Sequence, residues 1–347
     1  MISEDDIRRA LSGVKFPGFS RDILSFGMVK GMETDGKDIT VTIEVQTKDE
    51  SVPRQIYKDS MAALNDLPGV GLVTVTINVK DAPAAGTSQS QGTTAILGVK
   101  KVIAVGSGKG GVGKSTVASN LAIALSRQGL RVALCDCDLY GPSVGLMFGI
   151  HDARPQANEQ DEIIPITGHG IQLMSMGFLL EDTSPVIVRG PLATRYIQQF
   201  LRQVAWQDVD VLILDLPPGT GDIQLTIVQT VKLEGAVIVT TPQEVALADA
   251  RKAITMFDKV NVPILGLVEN MAWFECEHGT KYHIFGENGG VEEAKKLKVP
   301  LLAQIPLDPP VRQGGDRGAP IALAPAQESA SSAAFDLIAE KLAPSLR

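Results

Sequence analysis

The chain has 347 residues, 44% of them hydrophobic and 21% charged, which supplies a sizeable core and excludes a disordered polypeptide. Its formal net charge is −8 and its Lys and Arg residues form no cluster, which excludes nucleic acid as the main partner. No run reaches the roughly 20 apolar residues that a bilayer crossing demands, so no membrane partner is expected.

The opening residues Met1–Arg9 are acidic and polar, unlike a secretory signal. Three cysteines cannot all pair within one chain. Both features fit a reducing compartment, and the cytoplasm is the expected location. Residues 1–80 read as a small α+β domain. Ser3 with Asp6 forms a loose capping box for a short helix. Ile39–Val45 and Val70–Val79 alternate β-branched and polar residues, as half-buried strands do. Between them, Arg54–Leu67 carries apolar residues at helical spacing and stops at Pro68-Gly69. Residues 81–95, rich in Ala, Gly, Ser, Thr and Gln, have nothing large to bury and read as a flexible linker.

From residue 96 to 347 the pattern changes. Val102–Val105, Val132–Cys135, Val211–Leu214, Ala236–Val239 and Ile264–Val268 are continuous apolar runs with amphipathic stretches between them. Strands buried on both faces look like this, which predicts a doubly wound, mostly parallel α/β sheet. Near the end, Phe335, Ile338, Ala339 and Leu342 share one helical face without a basic flank. That predicts a helix packed on the sheet, not a membrane anchor.

Gly108–Ser115 (GKGGVGKS) matches the phosphate-binding pattern G-x-x-x-x-G-K-[ST], between a predicted strand and a predicted helix at Ser115–Arg127. The glycines let backbone N–H groups face phosphates, and the helix N-terminus adds positive potential. Lys114 would reach the outer phosphates and Ser115 would sit on Mg²⁺. Asp215 ends an apolar strand, where it can hold Mg²⁺. Leu216–Asp222 (LPPGTGD) makes a switch near the γ-phosphate position, and Asp136 and Asp138 end another strand at the same edge.

Lys109, directly after the first glycine of the loop, resembles the second lysine of the deviant Walker ATPases, the group of MinD, ParA and the nitrogenase iron protein. Within that group the chain resembles the Mrp/ApbC-type iron–sulfur carriers. The motifs that carry this are GSGKGGVGKST (Gly106–Thr116), DCDLYGPS (Asp136–Ser143), VRGP (Val188–Pro191), ILDLPPGTGD (Ile213–Asp222), TTPQEVALAD (Thr240–Asp249), LVENM (Leu267–Met271) and IFGENGG (Ile284–Gly290). SFGMVKGM (Ser25–Met32) and LPGV (Leu67–Val70) resemble the small N-terminal domain of the same carriers.

The resemblance implies a homodimer in which Lys109 reaches the partner's phosphates. It implies nucleotide contacts from Gly108, Gly110, Gly111, Val112, Gly113, Lys114, Ser115 and Thr116, and an adenine contact from Asn270 near Ile305–Asp308. Catalytic roles fall to Lys109, Lys114, Asp138 and Asp215, with Asp138 positioning the attacking water. Mg²⁺ would be supported by Ser115, Asp136 and Asp215.

The chain departs from that family in Phe274–Gly286 (FECEHGTKYHIFG), where carriers bear C-x-x-C. Cys276 holds the first position and Gly279 stands where the second cysteine would fall. A dimer then offers two thiolates where a [4Fe–4S] cluster takes four. Cys276 is the expected cluster ligand, with Glu277, His278, His283, a small thiol or a bound partner completing the set. Val45–Arg54 also lacks the cysteine expected of the small domain. Cys135 reads as a core residue and Cys137 as an inert neutral thiol, with their side chains expected on opposite faces.

The expected protein is an ATP-hydrolysing carrier that uses ATP and Mg²⁺ and takes a cluster from donors to apo iron–sulfur proteins. The competing expectations are a scaffold ATPase without its own cluster and a positioning ATPase of the MinD/ParA kind.

Overall fold

A computed structural model describes residues 2–17, 22–24, 27–46, 51–80, 94–179, 197–198 and 200–347. Ser25, Phe26, most of the expected linker and the VRGP motif lie outside the described residues. The chain divides into two compact units near residue 91.

The first unit opens with α1 (Glu4–Leu11), where Ser3 and Asp6 cap each other reciprocally as the sequence predicts. Strands β1 (Val29–Thr34), β2 (Ile39–Gln46) and β3 (Val73–Lys80) form one sheet in that order. β1 runs antiparallel to β2, and β3 runs parallel to it through the crossover helix α2 (Ser51–Asn65). Ile39, Val41, Ile43 and Val45 are fully buried, so β2 hides one face along its whole length. α2 meets the sheet with Val52, Ile56, Ser60 and Leu64, a four-residue repeat. β1 has no predicted counterpart: Val29-Lys30-Gly31-Met32 lacks the β-branched run that marks the other two strands.

The second unit is built on eight strands: β4 (Val99–Gly106), β5 (Val132–Asp136), β6 (Ile166–Gly168), β7 (Ile171–Ser175), β8 (Val209–Asp215), β9 (Gly235–Thr240), β10 (Ile264–Glu269) and, after a separate hairpin of β11 (Phe274–Glu275) and β12 (Lys281–Tyr282), β13 (Leu301–Gln304). The sheet order is β13-β10-β9-β4-β8-β5-β7-β6. Every pairing is parallel except that of β6 with β7. The unit is engaged from Thr94 onward, whose N–H donates to the Thr230 carbonyl at 2.9 Å, inside the expected linker range.

Helices cover both faces of this sheet. On one side α3 (Lys114–Arg127) and the C-terminal α9 (Ala330–Leu346) pack over Ile103 and Val105. Phe335, Ile338, Ala339 and Leu342 are buried there. On the other side Gly106 faces Gln224 of α5 (Asp222–Thr230) and Phe257 of α6 (Glu244–Lys259). Shorter helices of this unit are α4 (Val144–Met147), α7 (Gly289–Leu297) and α8 (Pro309–Asp316). No helix of the described residues is long and apolar enough to cross a membrane.

Candidate functional site

The parallel strands β4, β5, β8, β9 and β10 end side by side, at Gly106, Asp136, Asp215, Thr240 and Glu269. Such an edge is where an open α/β sheet binds ligands. Residues 107–113 turn there from β4 into α3. Gly111 and Gly113 take positive φ of 80° and 84°, backbone that favours glycine. Two close approaches fix the loop. A Cβ on Gly108 would stand 2.1 Å from the Asp249 carbonyl carbon, and one on Gly113 would stand 2.2 Å from Asn270 Nδ2. Ser107 Oγ donates to the Lys109 carbonyl at 2.9 Å.

Lys114 opens α3 and is buried, with Nζ 2.5 Å from Asp215 Oδ1 and 3.1 Å from Ser115 Oγ. Asp215 is fully buried, and among the described residues its Oδ2 has no hydrogen-bond partner. Burial pushes its carboxyl up, opposed by the Lys114 charge. Asp136 is also fully buried, and its pKa is raised to about 7, by burial first and then by the neighbouring Asp215. Its oxygens are already engaged: Oδ2 accepts from Ser143 N, Val144 N and Ser175 Oγ, and Oδ1 accepts from Asp138 N at 3.0 Å. Asp136 therefore anchors the loop that follows β5. Asp138, in that loop, turns the chain by accepting from the N–H groups of Tyr140 and Gly141, both at 3.2 Å.

Asn270 lies just past β10. Its Nδ2 donates to the Val112 carbonyl at 2.9 Å, which ties the phosphate loop to this strand end. Glu269, fully buried, accepts from the Gly290 N–H and from Gln304 Nε2. That holds the IFGENGG segment onto the same strand end. Sequence reasoning missed Glu269, Gln224 and Ser175. A charged residue closing an apolar run was the one available signal, and only Glu269 gives it.

Cys276 sits six residues beyond Asn270, in the turn between β11 and β12. The backbone N–H groups of His278 and Thr280 beside its sulfur favour the thiolate and lower its pKa below the ordinary thiol range. The loop is pinned: His283 Nδ1 lies 3.2 Å from the Ala272 carbonyl, and Leu307 N donates to the Trp273 carbonyl at 2.7 Å. The His283 ring is thus tethered through Nδ1, and its Nε2 lies 3.8 Å from Glu287 Oε1. Among the described residues no group of three or more His, Cys, Asp or Glu is placed to hold a metal.

Cys135 and Cys137 are both buried, with sulfurs 3.9 Å apart. The expectation of opposite faces is corrected, because residues two apart along a strand share a face. The Cys137 thiol is pushed well up by its hydrogen bond with Cys135 and by burial, in keeping with an inert thiol.

A family model described as the NUBPL iron-transfer P-loop NTPase matches residues 98–343, and one described as iron-sulfur cluster assembly protein matches residues 4–77. An iron-sulfur cluster carrier protein of Deinococcus radiodurans is 46% identical over 98% of this chain and 94% of its own length. One of Synechocystis is 41% identical over 99% and 98%. Among solved structures, a nucleotide-binding protein from Archaeoglobus fulgidus in complex with ADP has a TM-score of 0.59 and 41% identity, over 65% of this chain and 90% of that one. The cell division ATPase MinD of Pyrococcus furiosus has a TM-score of 0.54 and 27% identity, over 70% and 98%.

Proposed function

The chain belongs to the iron-transfer P-loop NTPases, and from that premise we propose that it hydrolyses ATP as a cytoplasmic homodimer and carries an iron–sulfur cluster to apo-proteins. The observation that supports this best is continuity: Asn270, which holds the phosphate loop, and Cys276 lie on one pinned segment. A shift at the nucleotide has a short covalent route to the thiol.

The residues present fit a nucleotide with its cation. The loop presents glycines and a helix N-terminus to phosphate, and among the described residues Asp215 Oδ2 is a buried acceptor without a partner. Magnesium, when bound with ATP, neutralises charge on the phosphate oxygens. Ser115 and Asp215 would hold it, with Asp136 fixing the loop beside them. Lys114, now paired with Asp215, would turn its charge to the outer phosphates. Asp138 orients the attacking water, Lys109 reaches across to the partner's nucleotide, and Asn270 Oδ1 meets the adenine. This chemistry is positioning and charge stabilisation.

The cargo is less well provided for. Two chains bring two Cys276 thiolates, and four is the usual number for [4Fe–4S]. His283, whose ring is oriented by the Ala272 carbonyl through Nδ1, is the candidate to complete the set. The single thiol per hairpin also favours a second reading, a scaffold ATPase whose partners bring the cluster. Anaerobic reconstitution with iron and sulfide separates the two. Wild type should take up about one cluster per dimer and Cys276→Ala none, with ATP turnover intact in both. A colourless wild type that still binds ATP would instead establish the scaffold.

A further inference from the structure

Among the described residues, Gln224 is the one whose two side-chain polar atoms are both buried without a hydrogen-bond partner. It is 1% exposed, in the first turn of α5. That helix is fed directly by the switch segment Leu216–Gly221. The amide lies against the root of the phosphate loop: its Nε2 is 3.2 Å from where a Cβ on Gly106 would stand, with the Phe257 ring equally close. The same stretch of β4 also holds the switch, since Leu216 N donates to the Val105 carbonyl and Gly219 N to the Ser107 carbonyl, both at 3.0 Å.

A buried amide with neither donor nor acceptor satisfied is costly, and an apolar side chain of the same length would fill this space without that cost. Packing therefore does not account for a glutamine here. What lies beside the amide is the backbone at Gly106, whose flanking Val105 and Ser107 carbonyls each accept one bond from the switch and have a second lone pair to offer. We propose that Gln224 is a positioning residue for ATP hydrolysis: its amide pairs with the phosphate-loop root when the switch shifts, and so couples the two segments. Its unpaired state here biases α5 toward that shift, and the pairing stabilises the shifted arrangement.

The inference rests on the ATP-hydrolysing reading, and the experiment keeps the two apart. Steady-state ATP hydrolysis and thermal melting are measured for the wild-type full chain, Gln224→Met and Gln224→Leu. The expected result is a kcat at least tenfold lower in both variants. KM for ATP should change less than threefold, and melting temperatures should be equal to or above wild type. Unchanged kcat overturns the proposal. So does a melting temperature that falls along with activity, which would assign the amide to packing. Hydrogen exchange across residues 216–225 supplies a readout that needs no turnover. A non-hydrolysable ATP analogue should slow exchange there more than ADP does in wild type, and equally to ADP in Gln224→Met. Equal protection by both nucleotides in wild type overturns it. A wild type without ATPase activity refutes the functional reading alone, and the exchange comparison then decides Gln224.

Discussion

The phosphate loop and the Cys276 turn share an anchor in Asn270, which donates to the Val112 carbonyl and lies six residues before Cys276, yet they are held in opposite ways. The loop is fixed by several elements at once: buried Lys114 by Asp215, Gly113 by Asn270, Gly108 by the backbone of α6. The turn joins two strands of two residues each, and Gly279 within it has no heavy atom within 4 Å of an added Cβ. A site whose work is charge stabilisation benefits from atoms that cannot move. A site that must pass its cargo on benefits from access. The difference teaches that damage should spread widely from the first and stay local in the second.

The largest break in that contrast comes from Lys114→Ala. It removes the cation paired with buried Asp215 and close to buried Asp136, so turnover should fall about 100-fold or more. ATPase assay checks this, and iron uptake by Cys276 should persist in the variant. Gly113→Ala comes next. It forces a side chain into φ 84° and into the Asn270 amide, so nucleotide affinity should weaken on the order of 100-fold by calorimetric titration. Wild-type affinity in that variant would show that the loop is not over-determined.

The two regions also differ in how they could be read from the sequence. The loop was legible because each part leaves its own mark: glycines for the backbone, Lys114 and Ser115 for the ligand, apolar runs ending in Asp136 and Asp215 for the sheet edge. The central strands of the large sheet followed from the same runs, whereas its short outer strands β6, β7 and β13, and β1 of the small sheet, did not. What the sequence hid were contacts between distant segments. Asn270 spends its amide on Val112, 158 positions away, and Gln224 stands against Gly106; nothing in their local pattern announces either. The turn was legible only through Cys276, since backbone N–H donors to sulfur follow from a conformation and not from residue types.

The three thiols test the contrast at moderate size. Cys276 has its pKa lowered by N–H donors from His278 and Thr280, while Cys137 is pushed well up and buried with Cys135. The thiolate is the reacting form, so a lowered pKa brings reaction to lower pH. Iodoacetamide at pH 7 should label Cys276 at least about tenfold faster than the other two, by peptide mass analysis. Its rate should level off below the pH at which a free cysteine, near 8.5, does so. Denaturant should erase the difference. Equal native rates would mean that the turn does not hold its sulfur as described.

Gly279→Ala gives the smallest effect and the sharpest counterpart to Gly113→Ala. Both glycines take positive φ, 73° and 84°, so the backbone penalty is shared. Only Gly113 has a neighbour to strike. The Gly279 variant should therefore cost about 1–2 kcal/mol of local strain and no more. Because the hairpin is a small exposed element, that strain should appear as faster hydrogen exchange in residues 276–280 while nucleotide affinity and melting temperature stay near wild type. A loss of nucleotide affinity comparable to that of Gly113→Ala would show that the turn is as tightly coupled to the phosphate loop as Asn270 is. The separation between a rigid site and an accessible one would then fail.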